Sequence, residues 1–399
     1  MTSKLLVVVA VSLAVGCTSS GGRTATLPSQ TTTTAIPTMS PTPAPTTAAP
    51  SPARQVTGVT EFHVADVSFV SLNHGFALGT ARCHGKDCTV LLESTDGARH
   101  WTARSVVPAG VGELTAGSCP SEPCVASLRF VTPRIGYAFG PALLLTRDGG
   151  QTWTRQRGRA VTSLEGDSQS VLRVSTREAG CAGDTSWLEE SAPGSTYWTR
   201  VRPLTTYHIC PPVLYRQGRD RIALVSYGNP AGCCPAASIV TSADRGRRLV
   251  QRDDPCRPTR ESDGYTSAVA LAPGGVLAVL CSYRSPSSFA VRVSTSFGAT
   301  FSQIRPFPNG PWGNPLMQLA AASAGRLMVL SFNTHTESFI PVSQDGGRSW
   351  TEDDSFGLGG PIVIVGFQNP TTARTARDNE IHTTVDGGHT WRSDLFLPT

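Results

Sequence analysis

The chain has 399 residues, of which only 16% are charged, and its 39 Gly and 30 Pro favour many turns over long helices. The net charge of +5 comes from scattered Arg residues with no basic run interleaved with aromatics, which argues against nucleic-acid binding. A hydrophobic share of 39% is enough for a core, and this length admits one large all-β unit.

At the N-terminus, Lys4 precedes an apolar run from Leu5 to Val15, too short to span a bilayer and suited to a signal segment. The run ends in Leu13-Ala14-Val15-Gly16-Cys17. This resembles the bacterial lipobox, which implies a leader over residues 1–17, cleavage before Cys17 and lipidation of Cys17. Acyl chains bury about 0.8 kcal/mol per CH₂, so two or three of them hold a protein firmly at a membrane. The expected location is the outer face of the cytoplasmic membrane, extending toward the cell wall, and the lipobox with the Ala/Arg/Gly/Thr-rich composition looks actinobacterial.

A tether follows over residues 18–57. From Thr24 to Ala53, 26 of 30 residues are Thr, Pro, Ser or Ala, which cannot bury enough apolar surface to fold. Proline extends such a segment at about 3.1 Å per residue, a reach on the order of 100 Å. Residues 58–399 form the folded unit.

Within that unit one phrase recurs, Ser/Thr-x-Asp-x-Gly-x-x-Trp. Thr146 to Trp153 carries Asp148, Gly150 and Trp153. Ser343 to Trp350 carries Asp345, Gly347 and Trp350. Thr384 to Trp391 carries Asp386, Gly388 and Trp391. A near copy, Ser94 to Trp101, keeps Asp96 and Trp101 but has Ala98 for Gly. Three copies are degenerate: Ser242 to Leu249 keeps Asp244 and Gly246, Ser294 to Phe301 has Ser296 for Asp, and Ser191 to Trp198 keeps only its ends. Successive copies start 41 to 52 residues apart, and one supersecondary unit of that length is the period of a propeller. Asp-Gly between β-rich runs signals a hairpin, with the carboxylate accepting turn amides and Gly supplying positive φ. The Trp opens the next strand, where it can wedge against the neighbouring repeat. These Asp therefore read as structural, not catalytic or calcium-binding.

Strands precede most boxes at Cys88–Glu93, Leu143–Leu145, Ala237–Thr241, Ala290–Val293, Ser338–Val342 and Glu380–Thr383. Upstream candidates are clearest as Val67–Leu72 with Gly75–Gly79, and Leu128–Thr132 with Gly136–Gly140; later units give Arg221–Tyr227, Val276–Cys281, Arg326–Phe332 and Pro361–Phe367. With a strand after each box, the expectation is an all-β, seven-bladed β-propeller with four-stranded antiparallel blades. Its ring closes with Val56–His63 pairing beside the last blade. Stretches of helical periodicity are absent.

Ten Cys lie beyond Cys17, an even number that on an exported chain predicts disulfides. Cys83–Cys88 and Cys119–Cys124 each span four intervening residues rich in turn formers, and Cys181–Cys210 is a further expected pair. Cys233, Cys234, Cys256 and Cys281 allow three pairings. No pair of CxxC motifs with suitably spaced His exists, so no metal is expected, and nothing points to a cofactor.

The repeated phrase resembles the Asp-box, or bacterial neuraminidase repeat (BNR), of sialidase-like propellers. The first two units add Phe69-Val-Ser-Leu-Asn-His-Gly75-Phe-Ala-Leu-Gly79 and Phe130-Val-Thr-Pro-Arg-Ile-Gly136-Tyr-Ala-Phe-Gly140. "Phe, five residues, Gly-aromatic-Ala-x-Gly" is similar to the non-enzymatic propellers related to photosystem assembly factors and sortilin-type receptors. The resemblance runs from about Val59 to Leu397 and speaks to fold more than function.

It also sets a test for catalysis. Sialidases share an Arg-Ile-Pro phrase near the first blade, three Arg on a sugar carboxylate, a late Tyr–Glu pair and an Asp acid/base. Here the nearest phrase is Arg134-Ile135-Gly136, one blade late and without Pro. The last Tyr is Tyr283, leaving Glu337, Glu352 and Glu380 without a partner. There is no Gly-x-Ser-x-Gly elbow, His-Glu-x-x-His motif or phosphate loop. His63, His74, His84, His100, His208, His335, His382 and His389 are scattered and read as surface or turn residues.

The expected function is therefore a lipid-anchored binding or scaffolding propeller for a cell-envelope protein or glycan, with no catalytic residues. Its alternative is a divergent sialidase-like glycoside hydrolase. Arg and carboxylates converging at one mouth of the central channel would favour the enzyme; a packed or apolar channel would favour binding. Loops around Cys83 and Cys233 are the first places to expect a binding surface.

Overall fold

The computed structural model describes residues 56–112, 122–177, 185–204, 212–227, 238–257, 264–283, 288–306, 316–332, 338–351 and 364–397. The expected leader and tether with Cys17, and Cys119, Cys181, Cys210, Cys233 and Cys234, lie outside these residues.

Seven antiparallel sheets follow one another in the sequence, each built from contiguous chain. Blade 1 comprises Val59–Phe69, Gly75–Cys83, Lys86–Ser94 and Thr102–Val106; blade 2, Ser127–Phe130, Gly136–Phe139, Leu143–Thr146 and Thr154–Gln156. Blade 3 comprises Ala160–Gly166, Val171–Thr176, Trp187–Ser191 and Thr199–Pro203; blade 4, Val213–Gln217, Arg221–Ser226, Ser238–Ser242 and Val250–Arg252. Blade 5 comprises Tyr265–Ala272, Val276–Tyr283, Ser288–Ser294 and Arg305–Pro306; blade 7, Ile364–Phe367, Ala373–Arg377, Glu380–Thr384 and Arg392–Leu395. In blade 6, Leu316–Ala321 and Leu327–Phe332 pair with a split third strand, Ser338–Phe339 and Val342–Ser343, and the outer position is a single bridge from Val342 to Thr351. The split falls at Pro341, which has no N–H to give to a ladder. Among the described residues there is no α-helix, only a three-residue 3₁₀ turn at Pro273–Gly275.

From blade 1 to blade 7 the first strand of each blade touches the first strand of the next, and at the seam the first strand of blade 1 touches the second strand of blade 7, which makes the first strands the inner ring. Between consecutive blades lie seven separate apolar cores, one per interface. Each contains the last residue of one box. Trp153 sits in the core between blades 1 and 2, Trp198 between 2 and 3, Leu249 between 3 and 4, and Phe301 between 4 and 5. Trp350 sits between blades 5 and 6, Trp391 between 6 and 7, and Trp101 between 7 and 1.

The Phe-to-Gly motif of the first two blades has a steric basis. Phe69 pairs with Gly75, and Phe130 with Gly136, across adjacent strands. Each ring lies so close over its glycine that a Cβ there would fall 2.3 Å and 2.6 Å from ring carbons. The aromatic after Gly75, Phe76, then stacks on Phe130 of the next blade, with ring centroids 3.6 Å apart.

Two expectations need correction. The first strand of blade 1 begins at Val59, not Val67, and it pairs with Gly75–Cys83 of its own blade rather than with blade 7. Register shifts between Thr60 and His63 and between Val64 and Asp66 break the alternation that would have marked this strand. Blade 7 supplies its own fourth strand, so the ring closes by packing of Phe62, Trp101, Ile381 and Phe396. Backbone contact across this seam includes one bond, Val64 N donating to the Asp378 carbonyl at 2.7 Å.

Cys83 and Cys88 are joined by a disulfide, as are Cys256 and Cys281. Among the later cysteines whose pairing the sequence left open, the described residues thus show Cys256 joined to Cys281. Cys124 is also in disulfide linkage. Val59, where the folded unit starts, pairs directly with Cys83, and His84 N donates to the Gly58 carbonyl at 3.2 Å.

Candidate functional site

The boxes occupy the turns between third and outer strands, one per blade, and do not gather at one place. Their chemistry is local. In blade 6, the Ser343 hydroxyl donates to Asp345 Oδ1 at 2.9 Å and accepts the Gly347 amide at 2.7 Å. Asp345 Oδ1 accepts the amides of Arg348 and Ser349, both at 2.9 Å, and Oδ2 accepts the Ser349 hydroxyl at 2.7 Å. Bonds from the Ser349 amide and hydroxyl hold this carboxyl far below the usual carboxylate range. Thr146–Asp148–Gly150 and Thr384–Asp386–Gly388 repeat the pattern, and Ser94–Asp96 and Ser242–Asp244–Gly246 keep its main bonds. Blade 5 runs it on a hydroxyl, with Ser296 Oγ accepting the Thr300 amide at 2.9 Å. Blade 3 keeps only the first hydroxyl, Ser191 Oγ, on the Tyr197 carbonyl at 2.7 Å. Its Trp198 instead lies under Arg173, 4.0 Å from the ring centroid, and Arg173 forms a buried pair with Glu189 at 2.7 Å.

Sequence reasoning missed a second repeated device. An Arg on the outer strand of one blade clasps a box carbonyl of the next: Arg104 to Gly149, Arg202 to Arg247, Arg305 to Asp345, and Arg392 to Gly97. These Arg stand one to four residues beyond the Trp position, so no fixed spacing marks them.

The inner ring carries charge. Asp66 lies on the first strand of blade 1, Arg129 on that of blade 2, Glu165 on that of blade 3 and Arg216 on that of blade 4. Arg129 bonds Glu165 at 2.6 Å, and Arg216 bonds Asp167 at 2.8 Å. Asp66 Oδ1 accepts the Val67 amide at 2.8 Å and Oδ2 the Leu128 amide at 2.7 Å. Burial nevertheless pushes its pKa up to about 6 against the pull of Arg129 and those amides. In blade 4 the Tyr215 and Tyr227 hydroxyls bond each other, and burial pushes Tyr215 up to about 12. Arg and carboxylate do converge here, but as closed pairs.

A cavity of about 630 Å³ opens where blades 7, 1 and 2 meet. Its walls include Asp66, Phe69, Leu72, Arg129, Gln368 and Arg374. Arg374 comes from the second strand of blade 7 and leans over the Phe69 ring, 4.0 Å from its centroid. Phe69 to Leu72, from the Phe-to-Gly motif of the first unit, line this cavity, whereas none of the box residues or cysteines singled out from the sequence is among its walls. The hairpin at Cys83 is elsewhere, and Cys233 lies outside the described residues.

The sialidase cues are dispersed. Arg134 is exposed in the turn between the first two strands of blade 2, where Thr132 Oγ1 accepts its amide at 3.2 Å. Glu380 pairs with Arg377 at 3.3 Å, while Glu337 and Glu352 lie outside the described residues. His382, expected at the surface or in a turn, is buried in the third strand of blade 7, and burial lowers its pKa. Among the described residues no group of three or more His, Cys, Asp or Glu could hold a metal ion.

Fold and repeated turns together define a seven-bladed β-propeller of the Asp-box, or BNR, type. Residues 46–199 match the family described as photosynthesis system II assembly factor YCF48. No curated protein matches the chain. Among solved structures, YCF48 bound to D1 peptide is similar at 16% identity and a TM-score of 0.53, over 84% of this chain and 93% of that one. Saccharomyces cerevisiae Sqt1 is similar at 11% identity and a TM-score of 0.52, over 84% and 86%. A prolyl endopeptidase shares 10% identity and a TM-score of 0.52, over 86% of this chain but 52% of its own. At these identities the likeness is one of fold, and that fold serves both binding proteins and enzymes.

Proposed function

We propose that this chain is a tethered binding propeller that engages a protein of the cell envelope. On this reading Cys17 is lipidated, residues 18–57 form the tether, and the propeller works at the outer face of the cytoplasmic membrane. One observation carries the binding function: the cavity between blades 7, 1 and 2 holds hydrogen-bonding groups with no partner, whereas the box carboxylates are committed to their own turns. A rigid ring with unspent polar groups in a cavity is suited to recognition. The similar fold of YCF48, solved with a D1 peptide, supports a polypeptide as the partner class.

The test is capture from solubilised cell envelope with the full-length chain as bait, and with Cys17→Ala beside it. The expected result is one enriched envelope protein for both baits, with Cys17→Ala unprocessed or lost from the membrane fraction. Unchanged size and detergent partitioning of Cys17→Ala would remove the anchor from this reading.

The convergence of Asp66, Arg129, Glu165 and Arg216 on the inner ring supports a second reading, a divergent glycoside hydrolase. Turnover of fluorogenic sialosides that disappears in Glu165→Gln would establish it; absence of turnover on a glycoside panel favours binding.

A further inference from the structure

We propose that the cavity at the seam of blades 7 and 1 is a carboxylate-binding site for an acidic group of a partner polypeptide, with Arg374 as the receiving cation. The proposal deepens the binding function above and rests on it.

Arg374 is 5% exposed. Among the described residues its guanidinium makes one hydrogen bond, Nη2 donating to the Leu72 carbonyl at 2.7 Å, while Nε and Nη1 have no partner. Four other Arg of the propeller have a carboxylate partner: Arg129 has Glu165, Arg173 has Glu189, Arg216 has Asp167, and Arg392 has Asp394. Arg374 has none among the described residues. Asp66, the carboxylate in the same cavity, has both oxygens occupied by backbone amides.

A buried cation without a counter-charge is unfavourable, and the Phe69 ring face offsets only part of that. Burial lowers the Arg374 pKa to about 10, and neighbouring Arg392 pushes it the same way. A carboxylate satisfies what is missing, because a guanidinium recognises it through two parallel donors.

The rest of the wall narrows the ligand. Gln368 donates its amide to the Ser71 carbonyl at 3.2 Å, but its Oε1 is buried and unpartnered. That acceptor suits a peptide N–H beside the carboxylate. Val67, Val70, Leu72 and Phe367 add apolar surface to a wall that also carries Ser71 and Asn369, and this mixture gives the side chains of a polypeptide both packing and hydrogen-bonding partners.

The experiment is fluorescence polarisation on the full-length chain in detergent micelles with three labelled octapeptides. One has a central Glu and an amidated C-terminus, one is neutral with a free C-terminus, and one is neutral and amidated. The expected result is that at least one carboxylate-bearing peptide binds tenfold or more tightly than the neutral amide, and the stronger of the two identifies the source. Arg374→Met should lose that preference without a lower melting temperature, since it removes an unpaired buried charge. Arg374→Lys, a charge-preserving check should Met not fold, should weaken the preference several-fold. Equal binding of all three peptides, or a preference unchanged in both variants, overturns the site. If envelope capture persists in Arg374→Met while no peptide discriminates, the binding function stands and this site falls. If neither capture nor peptide binding occurs, both fall.

Discussion

Replacing Gly150 by Ala isolates the packing of an Asp-box against its neighbouring blade. Gly150 has φ +83°, and a Cβ there would lie 2.1 Å from Leu91 Cδ2 in the core between blades 1 and 2. Two costs follow. The left-handed backbone costs an L-residue about 1–2 kcal/mol. Overpacking a filled core costs roughly 1–3 kcal/mol more. Gly85 is an internal control, because its φ is +76° but nothing lies within 4 Å of a Cβ there. Urea unfolding followed by Trp fluorescence should therefore show Gly150→Ala destabilising by about 3–4 kcal/mol and Gly85→Ala by only about 1 kcal/mol, with unchanged m-values. In a Leu91→Ala background the clash is gone, and Gly150→Ala should fall to the Gly85→Ala value. Equal costs for the two glycine variants, or no relief from Leu91→Ala, would refute the packing argument.

Three further outcomes are expected. Trp101→Ala, at 6% exposure in the seam core with Phe396 at 5.0 Å, should cost about 3–5 kcal/mol in the same assay. Loss of the Cys256–Cys281 bridge, which closes 25 residues, should cost about 3.5 kcal/mol, against about 2 kcal/mol for Cys83–Cys88, which closes 5. A pH series should be biphasic. Asp66 takes its proton at about 6 in the folded chain but near the ordinary 3.8 when unfolded, so stability should rise as pH falls through that window, and Asp66→Asn should flatten the rise. Below about pH 4 the sign reverses. Asp244 and Asp345 are held below the usual range by their turn bonds, so stability present above the unfolded pKa is lost as these groups protonate.

The fold was legible because its turns recur in sequence with their chemistry intact. Asp148, Asp345 and Asp386 each sit between a hydroxyl residue and a glycine that the turn needs, and the spacing of the copies counted the blades. Degenerate copies remained readable where a substitute kept the bond, as Ser296 does. The inner strands were harder. Val59–Phe69 hides behind two bulges, and Tyr265–Ala272 carries three consecutive buried residues, Ala268 to Ala270, so neither alternates cleanly. The charged ring and the seam cavity were invisible for a different reason. Asp66, Arg129, Glu165 and Arg216 lie 36 to 63 residues apart in sequence and meet only because successive first strands are neighbours around an axis. Arg374 reaches Leu72 across 302 positions, through the closure of the ring itself.

The pairing of Val59 with Cys83 has a mechanical consequence. Any pull transmitted along the chain from residues before Val56 arrives first at Gly58 and Val59, at one end of the first strand of blade 1. There it meets the hairpin that the Cys83–Cys88 bond locks shut, and beyond it the Phe62 ring, packed at 5.2 Å against Phe396 of the last blade. Load entering at the start of the propeller is thus shared at once between a covalent clip and the far end of the same chain. Peeling the first strand away would have to open the ring at its seam.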